Sequence, residues 1–275
     1  MRVLTLVTFS TLAAAKAATL DPVTSQAWDE YVRSATERMQ QRLAPGNSFL
    51  WTDEAPDRIA RVKAGKVVVS AIGPQSPKKV PSGLIHHWIG AVFIQHASLN
   101  DVVHVARDYE RYKDVYEPSV VDSKAIATGE DTDRYSMLLM NQALLLKTAF
   151  SADYEACYVE LAEGRAYSIA RSTRIQEIED YGSSEQRLLP EGQGRGIIWR
   201  LFGITRYLER DGGVYLEFEA IGLSRDIPAS IRWFVEPMVR RVSRSSLATS
   251  LEETGRAVRT RAEVARSGSS LSYKP

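Results

Sequence analysis

Four histidines, His86, His87, His96 and His104, are the side chains best suited to carry a proton near neutral pH or to ligate a metal. A metal site needs three or four donors converging, as two histidines one helical turn apart or as paired cysteine–histidine clusters. None of the four has such spacing, the chain contains one cysteine, and no acidic cluster supports them. His86 and His87 are neighbours on a strand-like run, so they point to opposite faces and one of them can be inner; a structural role suits them. No G-x-S-x-G turn is present to raise a serine nucleophile. Gly192-Gln-Gly-Arg-Gly196 has the glycines of a phosphate loop but lacks the following Lys-Ser/Thr and precedes a strand, so it reads as a flexible hairpin loop. Asp108, Asp226 and Glu236 could exchange protons, yet no spacing pairs them. The sequence implies no metal, no cofactor and no catalytic residue, and it leans away from an enzyme.

The arginines are more telling. On 167–175 the apolar parity is Tyr167, Ile169, Thr173 and Ile175, and Arg171 belongs to it. An arginine on an inner face keeps its charge and needs a partner there. Either Arg171 meets a ligand head or a buried carboxylate, or a register shift turns it to solvent. Arg232, Arg240, Arg241 and Arg244 sit on the last helical segment, as a solvated basic face or as a contact for anionic lipid at a membrane surface. The formal net charge of +1 gives no general attraction to nucleic acid, and none is expected as a partner.

The 275 residues, 44% hydrophobic and 25% charged, suffice for a sizeable core. The first 17 differ from the rest. Met1-Arg2 is a short positive start, Val3 to Ala15 is apolar, and Ala15-Lys-Ala17 offers small residues to a signal peptidase. Residues 1–17 are therefore expected to be a signal peptide, and the protein to be exported, periplasmic or secreted. Export permits disulfides, but Cys157 stands alone, so packing must supply the stability. Its strand context predicts a small, partly buried thiol.

Beyond residue 17, Thr24 or Ser25 is a candidate cap for a helix carrying Trp28, Tyr31, Val32, Ala35 and Met39 at helical spacing. A strand over 66–72 and a Gly/Pro-rich linker follow, so 18–82 reads as an extension packed on a main domain at 83–264, with a disordered polar tail at 265–275. In the main domain Leu84–Ile94 is a strand, and Ser98 caps a helix running into a tyrosine-rich segment stopped by Pro118. Period-two runs then occupy 121–127, 134–140, 144–161, 165–178, 197–210 and 214–225. Asp211-Gly-Gly213 is a strong hairpin signal. Past Pro228 the spacing of Ile231, Phe234, Val235, Met238 and Val242 is helical, with a kink or a break into two segments expected at Pro237. Such strands predict an antiparallel sheet with one covered face. The inward parities are the even set on 148–158 (with Phe150, Tyr154 and Tyr158), the odd set on 199–207 (Trp199, Leu201, Gly203, Thr205, Tyr207) and the even set on 214–220 (Val214, Leu216, Phe218, Ala220). Arg200 and Arg206 on the other face are placed to pair with Glu217 and Glu219 as weak surface ion pairs.

Arg107-Asp-Tyr-Glu-Arg-Tyr-Lys-Asp-Val-Tyr-Glu-Pro-Ser-Val-Val-Asp-Ser123 is similar to the D-Y-x-x-Y-x-x-x-x-P-x-V-x-x-S stretch of START-like (SRPBCC, helix-grip) proteins, among them polyketide cyclases and coenzyme Q-binding proteins. Asp211 to Ala220 resembles their final hairpin, and Ile227-Pro228 the start of their last helix. The resemblance covers about residues 84–260. It implies an α+β helix-grip fold, with a curved antiparallel sheet wrapped around a long C-terminal helix, and a deep apolar cavity between them. With the parities above, the expected ligand-binding residues are Tyr112, Tyr116, Phe150, Tyr154, Arg171, Trp199, Leu201, Phe218 and Trp233; the same aromatics would also serve simply to fill a core. The expected function is an exported protein holding a hydrophobic small molecule such as a lipid, isoprenoid or quinone. The alternatives are a polyketide cyclase or aromatase using the same pocket, and a domain acting through a partner surface.

Overall fold

Asp21 starts the first helix. Its carboxylate accepts from the Val23 amide at 2.8 Å, and Pro22 fills the first helical position, where no amide hydrogen is needed. The cap thus lies a few residues before Thr24, which is buried and donates its hydroxyl to the Pro81 carbonyl at 2.7 Å. The computed structural model describes residues 18–73, 76–143 and 146–271. The expected signal peptide, residues 1–17, lies outside the described residues, as do 272–275.

The described chain runs β1 (Ala18–Thr19), α1 (Pro22–Gln41), a 3-10 turn (Thr52–Glu54), α2 (Pro56–Lys63), β2 (Val68–Ala71), β3 (Lys78–Val80) and β4 (Gly83–Gln95). Then come α3 (Leu99–Arg107), a 3-10 turn (Tyr109–Arg111), α4 (Tyr112–Val115), β5 (Val120–Thr128), β6 (Thr132–Ala143), β7 (Leu146–Leu161) and β8 (Arg165–Glu179). Two short strands, β9 (Arg187–Leu188) and β10 (Gln193–Gly194), precede β11 (Arg200–Arg210), β12 (Gly213–Arg225) and the long helix α5 (Ala229–Leu271). The main sheet is antiparallel in the order β2-β4-β12-β11-β8-β7-β6-β5, with β3 beside β4 and β9 beside β8. Asp211 and Gly212, both at positive φ, make the tight turn between β11 and β12. α5 lies across one face of the sheet against β4, β2 and α3, which is the helix-grip arrangement expected. It packs tightly at Gly90, where an added Cβ would meet Leu251 Cδ1 at 2.5 Å. The helix is continuous through Pro237 rather than broken there, and it takes in the first part of the 265–275 segment.

The inner face, under α5, packs Val92, Ile94, Val214 and Leu216 against Leu247, Leu251 and Val258. Over β4, β11 and β12 the outer face is not solvated. Trp28, Met39, Phe49, Leu50, Trp51 and Val62 of the extension cover Ile85, Ile89, Phe93, Tyr167, Ile204, Tyr215 and Ile221. This part of the sheet therefore has two covered faces where one was expected. Arg206, Glu217 and Glu219, expected as surface partners, do pair but are buried beneath α1 and the Thr52–Glu54 turn. Cys157, on the outward parity of β7, is exposed, because the extension does not reach that part of the sheet.

Candidate functional site

Ser98 and Asp101 form a reciprocal capping box that fixes the start of α3. The helix delivers Arg107 to its C-terminal end, where Nε and Nη2 donate to the two oxygens of Asp133 on β6, each at 2.8 Å. Asp133 is fully buried. It also accepts from the Tyr109 hydroxyl at 2.8 Å and from the Gly129 amide at 3.1 Å. A knot of tyrosines grows from this anchor. The Ala106 carbonyl accepts from Tyr112 at 2.5 Å and from Tyr158 at 2.9 Å, and Tyr116 reaches Thr254 of α5 at 2.9 Å. Tyr135 is sandwiched between Tyr109 and Tyr154, with centroids at 4.1 and 5.0 Å and rings nearly parallel. Burial pushes the phenols of Tyr109, Tyr112, Tyr135, Tyr154 and Tyr158 upward, and that of Tyr207 up to about 12, so each stays protonated.

Most of the expected site residues meet here. Tyr112, Phe150, Tyr154 and Leu201 belong to one cluster with Tyr109, Tyr135 and Ile175, and Tyr116 closes it against Tyr112 and α5. Phe218 lies on the same face, in the neighbouring cluster under α5. Three residues do not join them. Arg171 is 63% exposed and pairs with Glu155 at 2.7 Å. The reason is a bulge: Asp153 pairs with Arg174 but Tyr154 with Ser172, so Thr173 is left over and the parity of β8 flips. Tyr167 and Ile169 thereby face the extension and Ile175 the tyrosines. Trp199 precedes β11 and turns into the outer core, close against Gly196. Trp233 is 78% exposed on the second turn of α5, which stands clear of the sheet there. The residues missed by sequence reasoning are Arg107, Asp133 and Tyr135. The alternation Tyr135, Met137, Leu139 on β6 carried the signal for the last.

Of the two adjacent histidines, His87 faces the extension and His86 faces α5, with Nε2 2.9 Å from the Ser224 hydroxyl. Burial lowers the pKa of His86 to about 4; Glu236 pulls it up and Arg240 down. A histidine kept neutral on folding favours the folded state fully above its unfolded pKa near 6.5, and that contribution is lost as pH falls toward 4. Stability measured by denaturant titration is expected to drop on the order of 3 kcal/mol over that window from this group. The His86→Gln variant is expected to lack that slope.

Among the described residues no three His, Cys, Asp or Glu side chains converge as a metal site, and no helix is long and apolar enough to cross a membrane. A surface hollow of about 450 Å³ lies outside the knot, along Asn100, Val103, His104, Arg107 and Asp108 of α3 and its end.

No protein-family model matches the chain, and no curated protein matches it by sequence. Solved structures share its general path. A STAR-related lipid transfer protein from Xanthomonas axonopodis is 17% identical with a TM-score of 0.42, covering 71% of this chain and 98% of that one. The Zhui aromatase/cyclase from Streptomyces is 12% identical with a TM-score of 0.45, covering 64% and 95%. A human lipid transfer and protein localization domain is 9% identical with a TM-score of 0.43, covering 76% and 97%. These are likenesses of chain path; the helix-grip order rests on the strands and helices themselves.

Proposed function

Taking the helix-grip fold as the premise, we propose that this protein binds a hydrophobic small molecule between the inner face of β5–β8 and the first half of α5. The observation that carries the reading is the partly covered apolar wall beside Tyr135 and Tyr154. Both rings lie deep in the inner face, at 6% and 7% exposed. Beside them Met137, Leu139 and Leu201 are only partly buried, an apolar lining not filled by its own neighbours. A ligand seated there gains roughly 25 cal/mol per Å² of apolar surface removed from water.

The same reading gives α5 a second task. Ile231, Trp233 and Phe234 are exposed on its first two turns, and Arg241 and Arg244 are exposed further along. Apolar side chains beside arginines suit the interface of an anionic membrane, where a water-insoluble ligand would be collected. Export through residues 1–17 belongs to the same proposal. Native mass spectrometry of the mature protein from its own host, followed by organic extraction, tests it. The expected result is an apolar adduct that extraction removes. A protein with no adduct that also fails to take up an apolar fluorescent probe would reject the reading.

A further inference from the structure

We propose that the bond between Ala17 and Ala18 is open to a signal peptidase only before strand β1 docks, so that processing precedes the last step of folding; this rests on the export reading of residues 1–17. The residue that follows the expected cleavage point already belongs to the fold. Ala18 and Thr19 form β1, paired antiparallel with Gly194 and Gln193 of β10. One residue further on, the Leu20 amide donates to the Gly192 carbonyl at 2.9 Å. Ala18 and Leu20 are half-buried against the outer core. Asp21 then caps α1, so no free linker separates the bond from the folded body.

The loop that receives β1 is itself fixed. Glu177, near the end of β8, is buried, and its carboxylate accepts from the Arg195 amide at 2.7 Å with the Arg195 guanidinium 3.7 Å away. The Arg225 amide donates to the Gly196 carbonyl at 2.7 Å. Gly192, Gly194 and Gly196 all stand at positive φ, and a Cβ at Gly194 would lie 2.6 Å from the Glu177 carboxylate. The glycine run thus closes on a carboxylate of its own chain and holds β10 in place for β1. Peptide-binding clefts take an extended segment by pairing with its backbone, and proteolysis concentrates where that backbone is neither buried nor hydrogen-bonded. Hydrolysis adds water across the peptide bond and leaves a carboxylate on Ala17 and an ammonium on Ala18. The residues just past the bond have to lie in the enzyme's cleft for that step, and in the docked strand they are already paired with β10. Cutting of a folded precursor therefore runs through the small fraction in which β1 has opened.

The test uses the full 275-residue precursor with signal peptidase in detergent, the cut being read from the product mass. Diluted from denaturant straight into the enzyme, the precursor is expected to be cut between Ala17 and Ala18. Allowed to refold first, it should be cut at least about tenfold more slowly, because the backbone bonds of β1 and the half-buried Leu20 have to open. A second precursor carries Gly-Ser-Gly-Ser-Gly between Ala17 and Ala18, which moves the bond clear of the strand and leaves every described contact in place. Refolded, it should be cut as fast as the unfolded chain. A refolded precursor cut as fast as the spacer form, or a spacer that restores nothing, would overturn the proposal while leaving the signal peptide standing. If no form is cut at that bond, the export reading fails and the proposal falls with it. The two refolded precursors decide the matter even where folding outpaces the enzyme.

Discussion

Arg206→Ala will lower folding stability by about 3–5 kcal/mol in a denaturant titration, because it leaves buried carboxylates without their cation. The guanidinium is fully buried. Its Nε donates to Glu217 at 3.0 Å and its Nη1 to Glu219 at 2.9 Å. Glu217 is held in turn by the amides of Trp51 and Thr52 at 2.9 and 2.8 Å and by the Thr52 hydroxyl at 2.9 Å. Glu219 meets His87 Nε2 at 2.8 Å, and His87 Nδ1 lies 2.9 Å from the Tyr31 hydroxyl of α1. Three strands and the extension thus share one polar island inside an apolar layer. Burial alone would raise the carboxyl of Glu219, but the bonds from His87 and Arg206 outweigh it and bring its pKa down to about 2. A depressed carboxyl stabilises above its unfolded value and loses that contribution as pH falls toward 2, so acid should release the extension. Arg171→Ala is the control. Its exposed pair with Glu155 should be worth less than about 1 kcal/mol. Equal losses for the two arginines would contradict the buried-island account.

Asp133→Ala should cost about 3 kcal/mol and loosen the tyrosine knot. The carboxylate is the point where α3, the Tyr109–Arg111 turn and β6 are joined, and it accepts four hydrogen bonds from Arg107, Tyr109 and the Gly129 amide. The loss should be smaller than at Arg206, since the Arg107 side chain is 28% exposed and can turn to water. The stacked Tyr109, Tyr135 and Tyr154 rings give a near-ultraviolet circular dichroism signal that should weaken with the same substitution. An unchanged spectrum alongside lost stability would mean that the stack stands without its anchor.

Much of this architecture was legible from local pattern. The Ser98 cap, the Asp211-Gly-Gly213 turn, the strand runs and the inward parities of β7 and β12 need only neighbouring residues to be read, and all are present. What escaped depends on distant chain. Glu217 and Glu219 alternate with apolar residues as a wet face would, and only the docking of residues 28–62 makes that face dry. The bulge at Thr173 has no local signature, so parity alone left Arg171 open between the inner face and solvent, and the register shift puts it in solvent. Trp199 belongs to the loop before β11, where strand parity does not apply. Asp133 beside a turn looks like any loop carboxylate until Arg107 arrives from α3.

Because β4, β11 and β12 are lined on both sides, the two layers cannot be treated as separate cooperative units. Melting the outer layer wets the reverse of the strands that carry the inner one. Free energy gained on one side is therefore felt on the other, and occupancy beneath α5 would make α1 harder to peel away. The reciprocal also holds. A partner that pulled α1 from the sheet would weaken whatever is held on the far side, so thermodynamic linkage connects a surface helix to an interior it never touches.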